Sequence, residues 1–388
     1  MKRLMITRRT MATAALAGLL AGCSIIPKGP TSTRPVDPAP TVATEPSATE
    51  LPTDETRHRV ALLVPMSGQN GAVGQAIANA TTMALMDTNA TNLRITTYDT
   101  ARGPQEAARK ALAEGNKLIL GPLLGSNVVS VQAEAGPANV PIISFSNDTS
   151  IAGPNVFVMG HIPEQSIMRT VQYARGRGAR DFAILSPDGE YGQRAEDAMR
   201  AAVAAYGGRV SWVERYDRGN TSIVSAARRL KSQGGYDSVL IAENARLATM
   251  AAGPLREGSG SSTRLMGTEL WSGESAITRA PALNGAMFSA VSDGRFKRFI
   301  DSYEARFGSQ PYRIATLGYD AVLLSLRIAR DWKPGRTFPI DALRSDDGFL
   351  GLDGAFRFQN NGVVQRAMEV REVRSGEVVV IDGAPTRF

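Results

Sequence analysis

Arg59-Val-Ala-Leu-Leu-Val-Pro-Met-Ser-Gly68 opens with an apolar run long enough for one buried strand, too short for a helix, and closes in a turn. A helical pattern follows over 72–86. A second strand, 93–98, ends at Asp99, and 104–114 reads as the next helix. Residues 117–120 form a third strand, closed by Gly121-Pro-Leu-Leu-Gly-Ser-Asn127, and 128–135 is helical again. Residues 141–144 are a fourth strand. Four strands with three helices between them imply parallel pairing and right-handed crossovers, hence an open doubly wound α/β sheet. Ligands of such sheets sit beyond the carboxyl ends of the strands. The candidate ring is therefore Ser67–Gly68, Asp99–Thr100, Gly121–Asn127 and Ser144–Asn147.

The alternation resumes after Asn155. Strands are expected at 156–159, 181–186, 209–216, 237–241 and 264–267. Helices are expected from Pro163, up to Tyr206 before Gly207-Gly208, and over 222–232. Helix then dominates 293–331, with strands near 356–358, 367–373 and 377–381. A 388-residue chain with 43% hydrophobic residues can bury two ordinary cores.

Leu62-Leu-Val-Pro-Met-Ser-Gly68, Tyr98-Asp-Thr100, Gly121-Pro-Leu-Leu124 and Pro141-Ile-Ile-Ser144, in this order, resemble type I periplasmic binding proteins of the leucine-binding kind. They resemble more closely the relatives known as penicillin-binding protein activators. The resemblance covers 58–388 and is strongest over 59–200. It implies two doubly wound βαβ lobes joined by crossover strands, with crossings near 160, 290 and 333. Lobe one would then be 58–160 plus 290–332, and lobe two 161–289 plus 333–388.

The first residues carry a different message. Lys2, Arg3, Arg8 and Arg9 precede an apolar stretch from Met11 to Ala21, the pattern of a secretory signal over 1–22 and too short to span a membrane. Leu20-Ala-Gly-Cys23 matches a lipoprotein lipobox, so Cys23 is the expected lipidation site, and Ser24 after it resembles lipoproteins sent to the periplasmic face of the outer membrane. The alternative is an ordinary cleaved signal followed by a chance cysteine. Residues 24–56 contain seven Pro and seven Thr in 33 positions, the composition of an extended tether that cannot pack a core. Removing the signal lowers the formal charge from +7 to about +3, which does not argue for nucleic acid.

Catalytic constellations are weak. Gly68, Gly71 and Gly74 lack the Gly-x-Gly of a dinucleotide fingerprint and read as turn and helix-packing positions. Two histidines, His58 and His161, are too few for a triad or a histidine zinc site, and no cofactor or metal is expected. Glu190 and Glu196 read as solvated helix positions, the scattered arginines as surface, and Trp212, Trp271 and Trp332 as core, with Trp271 notable beside Glu269. The chain is expected not to be an enzyme.

The resemblance to leucine-type receptors implies a ligand site. Ser126 and Ser144, with Ser146 beside them, would hold a ligand carboxylate through hydroxyls and helix-start amides. Ser126 or Asn127 serving as helix N-cap is the alternative. Tyr191 would cover the ligand and Glu269 would pair with its ammonium group, while Leu123 and Leu124 replace the small polar residues usual there. Two functions follow. One is a lipoprotein that contacts and activates a penicillin-binding protein, a peptidoglycan synthase. The other is capture of a small amino-acid-like ligand for an ABC importer. The lipobox, the tether and the activator-like motifs favour the first.

Overall fold

The computed structural model describes residues 56–219, 222–258, 263–385 and 388. Cys23, the expected signal and most of the expected tether lie outside the described residues.

The first lobe is built from β1 (His58–Val64), α1 (Gly71–Asp87), β2 (Leu93–Asp99), α2 (Pro104–Ala113), β3 (Leu118–Leu120), α3 (Gly125–Ala135), β4 (Ile142–Ser144) and β5 (Val156–Val158). The sheet is all parallel, in the order β2-β1-β3-β4-β5. Val60 to Val64 of β1 are fully buried, as expected where helices cover both faces of a parallel sheet.

The second lobe follows with α4 (Pro163–Gly176), β6 (Asp181–Pro187), α5 (Glu190–Tyr206), β7 (Arg209–Tyr216), α6 (Ser222–Gln233), β8 (Ser238–Ile241), α7 (Ala245–Arg256), β9 (Arg264–Met266), α8 (Ser275–Thr278) and β10 (Met287–Ala290). The chain then returns to the first core through α9 (Phe296–Phe307) and α10 (Thr316–Ile328), which pack on α1. A small antiparallel sheet, β11 (Phe349–Gly351), β12 (Gly354–Phe358) and β13 (Val364–Arg366), precedes β14 (Glu369–Arg374) and β15 (Glu377–Asp382). The second large sheet has the order β15-β14-β10-β9-β8-β6-β7, with β14 and β15 antiparallel. These are two doubly wound lobes joined by crossover strands, the architecture that the resemblance implies.

One expected boundary moves. Residues 333–364 were expected in lobe two, but Phe338, Leu343, Phe349, Phe356, Phe358 and Val364 are buried in the same core as β1 and β5. Val158 N–H donates to the Gly362 carbonyl at 2.8 Å, tying this segment to the first sheet. The last crossing therefore falls between β13 and β14. Local alternation identifies a strand but not the sheet that will take it, and here a cluster of phenylalanines decides.

Buried charge holds the crossings together. Arg366 donates to the Met159 carbonyl at 2.7 Å, and Arg371 to the Val291 carbonyl at 2.5 Å and to Glu369 at 2.8 Å. Asp353 accepts from Thr316 at 2.9 Å and pairs with Arg313 at 2.7 Å and His161 at 2.8 Å. Burial alone would raise the Asp353 carboxyl, but Arg313, His161 and Arg366 hold it well below the usual range. Burial lowers His161 despite Asp353, so its ring is held toward the neutral form. Asp353 Oδ1 and guanidinium nitrogens of Arg313 and Arg366 are buried without a hydrogen-bond partner among the described residues, so this network is held by opposite charge rather than by complete hydrogen bonding.

Candidate functional site

The carboxyl ends of the strands face one another across the cleft, and the lobes repeat one device there. A Cβ on Gly74 would lie 1.8 Å from the Pro65 carbonyl oxygen, and one on Gly192 1.8 Å from that of Pro187. Each helix thus starts against the end of its own strand, presenting its first turn to the cleft. These are the packing positions read for Gly74 from the sequence.

On the first lobe, α3 begins at Gly125 with Leu124 in the N-cap position and no side-chain cap, so neither Ser126 nor Asn127 caps it. Ser126 is exposed in the first turn. Ser144 is fully buried at the end of β4; its hydroxyl donates to the Pro122 carbonyl at 3.0 Å and accepts from Ser146 N–H at 3.1 Å. Ser146 accepts from Asp148 N–H at 3.0 Å. A side-chain carbon at Gly125 would lie 3.0 Å from Asp148 Oδ2 and 3.1 Å from Ser146 Oγ. A protein carboxylate therefore already stands against the first turn of α3, where a ligand carboxylate was expected. The helix dipole favours an anion at that place, and Asp148 is one. Sequence reading missed Asp148, although an acid four residues beyond a strand end near a helix start was the available signal.

The second lobe supplies Tyr191 and Glu269, which the structure does bring together. Tyr191 Oη lies 3.0 Å from Thr268 Oγ1, and the Arg218 guanidinium stands 5.7 Å from the tyrosine ring centroid. Burial, then the nearby Glu269 charge, raises the Tyr191 hydroxyl. Glu269 is half-buried, and its Oε2 is enclosed with no hydrogen-bond partner among the described residues. Burial first and Glu164 second push its carboxyl up to about 7, against the pull of its own backbone N–H and of Arg194. Arg194 grips Glu164 through two bonds, at 2.8 and 3.0 Å, and also donates to the Asn147 carbonyl of the first lobe at 2.9 Å. That last bond bridges the cleft.

Two other expectations are corrected, those for Glu196 and Trp212, and the reading of Trp271 as core holds. Glu196, expected on a solvated face, is buried between Ser186 at 2.7 Å and Arg215 at 2.6 Å. Trp212, expected in the core, is 42% exposed on an outer strand. Trp271 is fully buried and donates to the Glu243 carbonyl at 2.9 Å, so its ring is core rather than a ligand-stacking surface. Taken together, the described residues place an unpartnered carboxyl oxygen at Glu269 and an acid, Asp148, beside the start of α3.

Comparison with known proteins adds the following. The family model of periplasmic binding proteins matches residues 58–377. An uncharacterized protein of Rickettsia prowazekii, RP748, is 31% identical over 176 residues, 45% of this chain and 47% of the relative. The chain thus matches about half the length of that curated relative. Among solved structures, a Rhodospirillum rubrum protein assigned to branched-chain amino acid ABC transport superposes with a TM-score of 0.74 at 21% identity, covering 84% of this chain and all of the other. The C-domain of LpoA (YraM) from Haemophilus influenzae, a regulator of PBP1A, gives 0.67 at 19% identity over 83% of this chain and 99% of that one. A solute-binding protein of an ABC transporter from Rhodopseudomonas palustris, in complex with 3,4-dihydroxybenzoic acid, gives 0.64 at 19% over 85% and 97%. Identities this low speak for the fold alone.

Proposed function

Because the chain belongs to the periplasmic binding protein family, we propose that it is a non-enzymatic, lipid-anchored regulator of peptidoglycan synthesis acting by contact with a penicillin-binding protein. The observation that carries this reading is the α3 end of the cleft. Amino-acid capture needs an uncommitted helix start for the ligand carboxylate, whereas here Asp148 stands against that turn and the Ser144 hydroxyl is spent on Pro122. Without that anchor the lobes serve as contact surfaces rather than as jaws. Leu20-Ala-Gly-Cys23, Ser24 and the Pro/Thr-rich stretch support the same direction, since they suit a protein reaching inward from the outer membrane. A pull-down from membranes with the full anchored chain tests it. A bifunctional penicillin-binding protein should be enriched, and its absence from the eluate would sink the reading.

One observation favours the alternative of solute binding. The unpartnered Oε2 of Glu269, beside Tyr191 and Thr268, suits a ligand ammonium group. If an amine or amino acid binds there, saturation at about 100 times its Kd adds about 2.7 kcal/mol of stability. The melting temperature should then rise by a few degrees, an effect lost in Glu269→Ala and kept in Glu274→Ala. A flat response across the twenty amino acids and short cell-wall peptides would remove this reading and leave the first.

A further inference from the structure

We propose that the cleft carries a built-in latch: Arg194 of the second lobe locks onto the loop after β4 in the first and holds the lobes together with no ligand required. The latch goes beyond the contact reading above and does not depend on it.

Arg194 lies in the second turn of α5, and its guanidinium works in two directions. Toward its own lobe, Nε and Nη2 donate to the two carboxylate oxygens of Glu164 at 2.8 and 3.0 Å. Toward the first lobe, Nη2 donates to the Asn147 carbonyl at 2.9 Å. The bidentate pair fixes the planar fork, so little further freedom is lost in making the bond across the cleft. Charge crosses as well. Burial lowers the Arg194 guanidinium, but Glu164, Glu190 and Asp148 outweigh burial and raise it, and Asp148 belongs to the first lobe.

A latch holds only if both of its seats are rigid. Glu164 stands in the first turn of α4, and the residues after it are tied down. The Gln165 side chain donates to the Val364 carbonyl at 2.5 Å and accepts from Arg366 N–H at 3.0 Å, and Ser166 Oγ donates to the Ser289 carbonyl at 2.6 Å. In the first lobe, the loop carrying Asn147 is fastened on either side of that residue. Ser146 N–H donates to Ser144 Oγ at 3.1 Å, Asp148 N–H to Ser146 Oγ at 3.0 Å, and Gly160 N–H to the Ser146 carbonyl at 3.2 Å. Opening the cleft therefore breaks the Arg194 bond rather than carrying the loop along.

A ligand closes two lobes by favouring the state in which it touches both. Arg194 does this from within the chain, and a hydrogen bond from a charged donor favours the joined state about ten-fold. Arg215 and Arg229 differ: their carboxylates, Glu196 and Glu214, lie in the same lobe. In sequence Arg194 reads as one more helix arginine, and its target is a backbone carbonyl that no pattern marks.

The test uses the full chain carrying Cys23→Ser, with Ala133→Cys on α3 and Ala204→Cys on α5, both exposed, as the only thiols. Nitroxide labels there report the distance between the lobes by pulsed electron paramagnetic resonance. Arg194→Gln is compared with Arg200→Gln, which removes an exposed charge from the same helix. The parent and Arg200→Gln should give one short, narrow distance distribution with no ligand added. In Arg194→Gln the ratio of short to long distances should fall about ten-fold. A ratio unchanged in Arg194→Gln, or lowered equally in Arg200→Gln, overturns the latch. Melting curves separate an opened cleft from a lost fold. Should Arg194→Gln not fold, Arg194→Lys, which keeps the charge and loses the fork, carries the same comparison.

Discussion

Burial favours the protonated form of a carboxyl, and Glu269, whose Oε2 has no hydrogen-bond partner among the described residues, has its carboxyl raised to about 7. The folded protein then binds this proton more tightly than the unfolded chain. Stability from this residue is complete below the unfolded value near 4.5 and is lost as pH rises through about 7. Glu269→Gln removes the dependence. Relative to the variant, the wild type should lose about 1–2 kcal/mol between pH 4.5 and pH 8, after allowing for screening of a half-buried group. Urea denaturation at the two pH values checks this, and a constant difference would show that Glu269 ionises normally. Tyr191 and Glu269 were named from the resemblance to leucine-type receptors alone, and the structure brings the two near each other. The fates of Ser144 and Asp148 were not legible. They depend on how one loop folds over another, through the Pro122 carbonyl and the Gly125 backbone, and no local pattern carries that.

At the level of elements, strand-to-helix joints are where the sequence spoke most plainly. Gly68 takes a turn conformation with φ of 71°, and Gly74 lets α1 touch the Pro65 carbonyl. A methyl at Gly74 has backbone in its way, whereas one at Gly71 would meet its nearest atom at 3.3 Å. Gly74→Ala should therefore cost about 1–3 kcal/mol, and Gly192→Ala a similar amount in the second lobe, with Gly71→Ala well below both. Chemical denaturation of the three variants ranks them, and equal effects would mean that helix propensity rather than close approach sets the cost. Elements with weak contrast were harder. α7 is rich in small residues and carries Pro254 inside, and β10 is four residues between loops, so neither announces itself in the sequence. The destination of β11 to β13 was decided by the buried phenylalanines of the first core, a tertiary choice made after the strands exist.

At the scale of the whole molecule, the period of apolar residues predicts two sheets and therefore two lobes, while their crossings are set by the buried network of Asp353, Arg366 and Arg371. Anchoring is the first expectation at this scale. Cys23→Ser should move the protein from the membrane fraction to the soluble periplasm, because several acyl chains anchor stably where one does not. Fractionation of cells expressing both forms decides it, and a soluble wild type would contradict the lipobox reading. The central claim is that the lobes act on a synthase by contact. Its most direct test is the rate of glycan polymerisation by a purified bifunctional penicillin-binding protein, with and without the full anchored chain in the same detergent. The account predicts a rate that rises with added protein and saturates, with no amino acid required. A rate unchanged at saturating protein, with melting temperature raised by an amino acid through Glu269, would contradict it and establish solute capture instead.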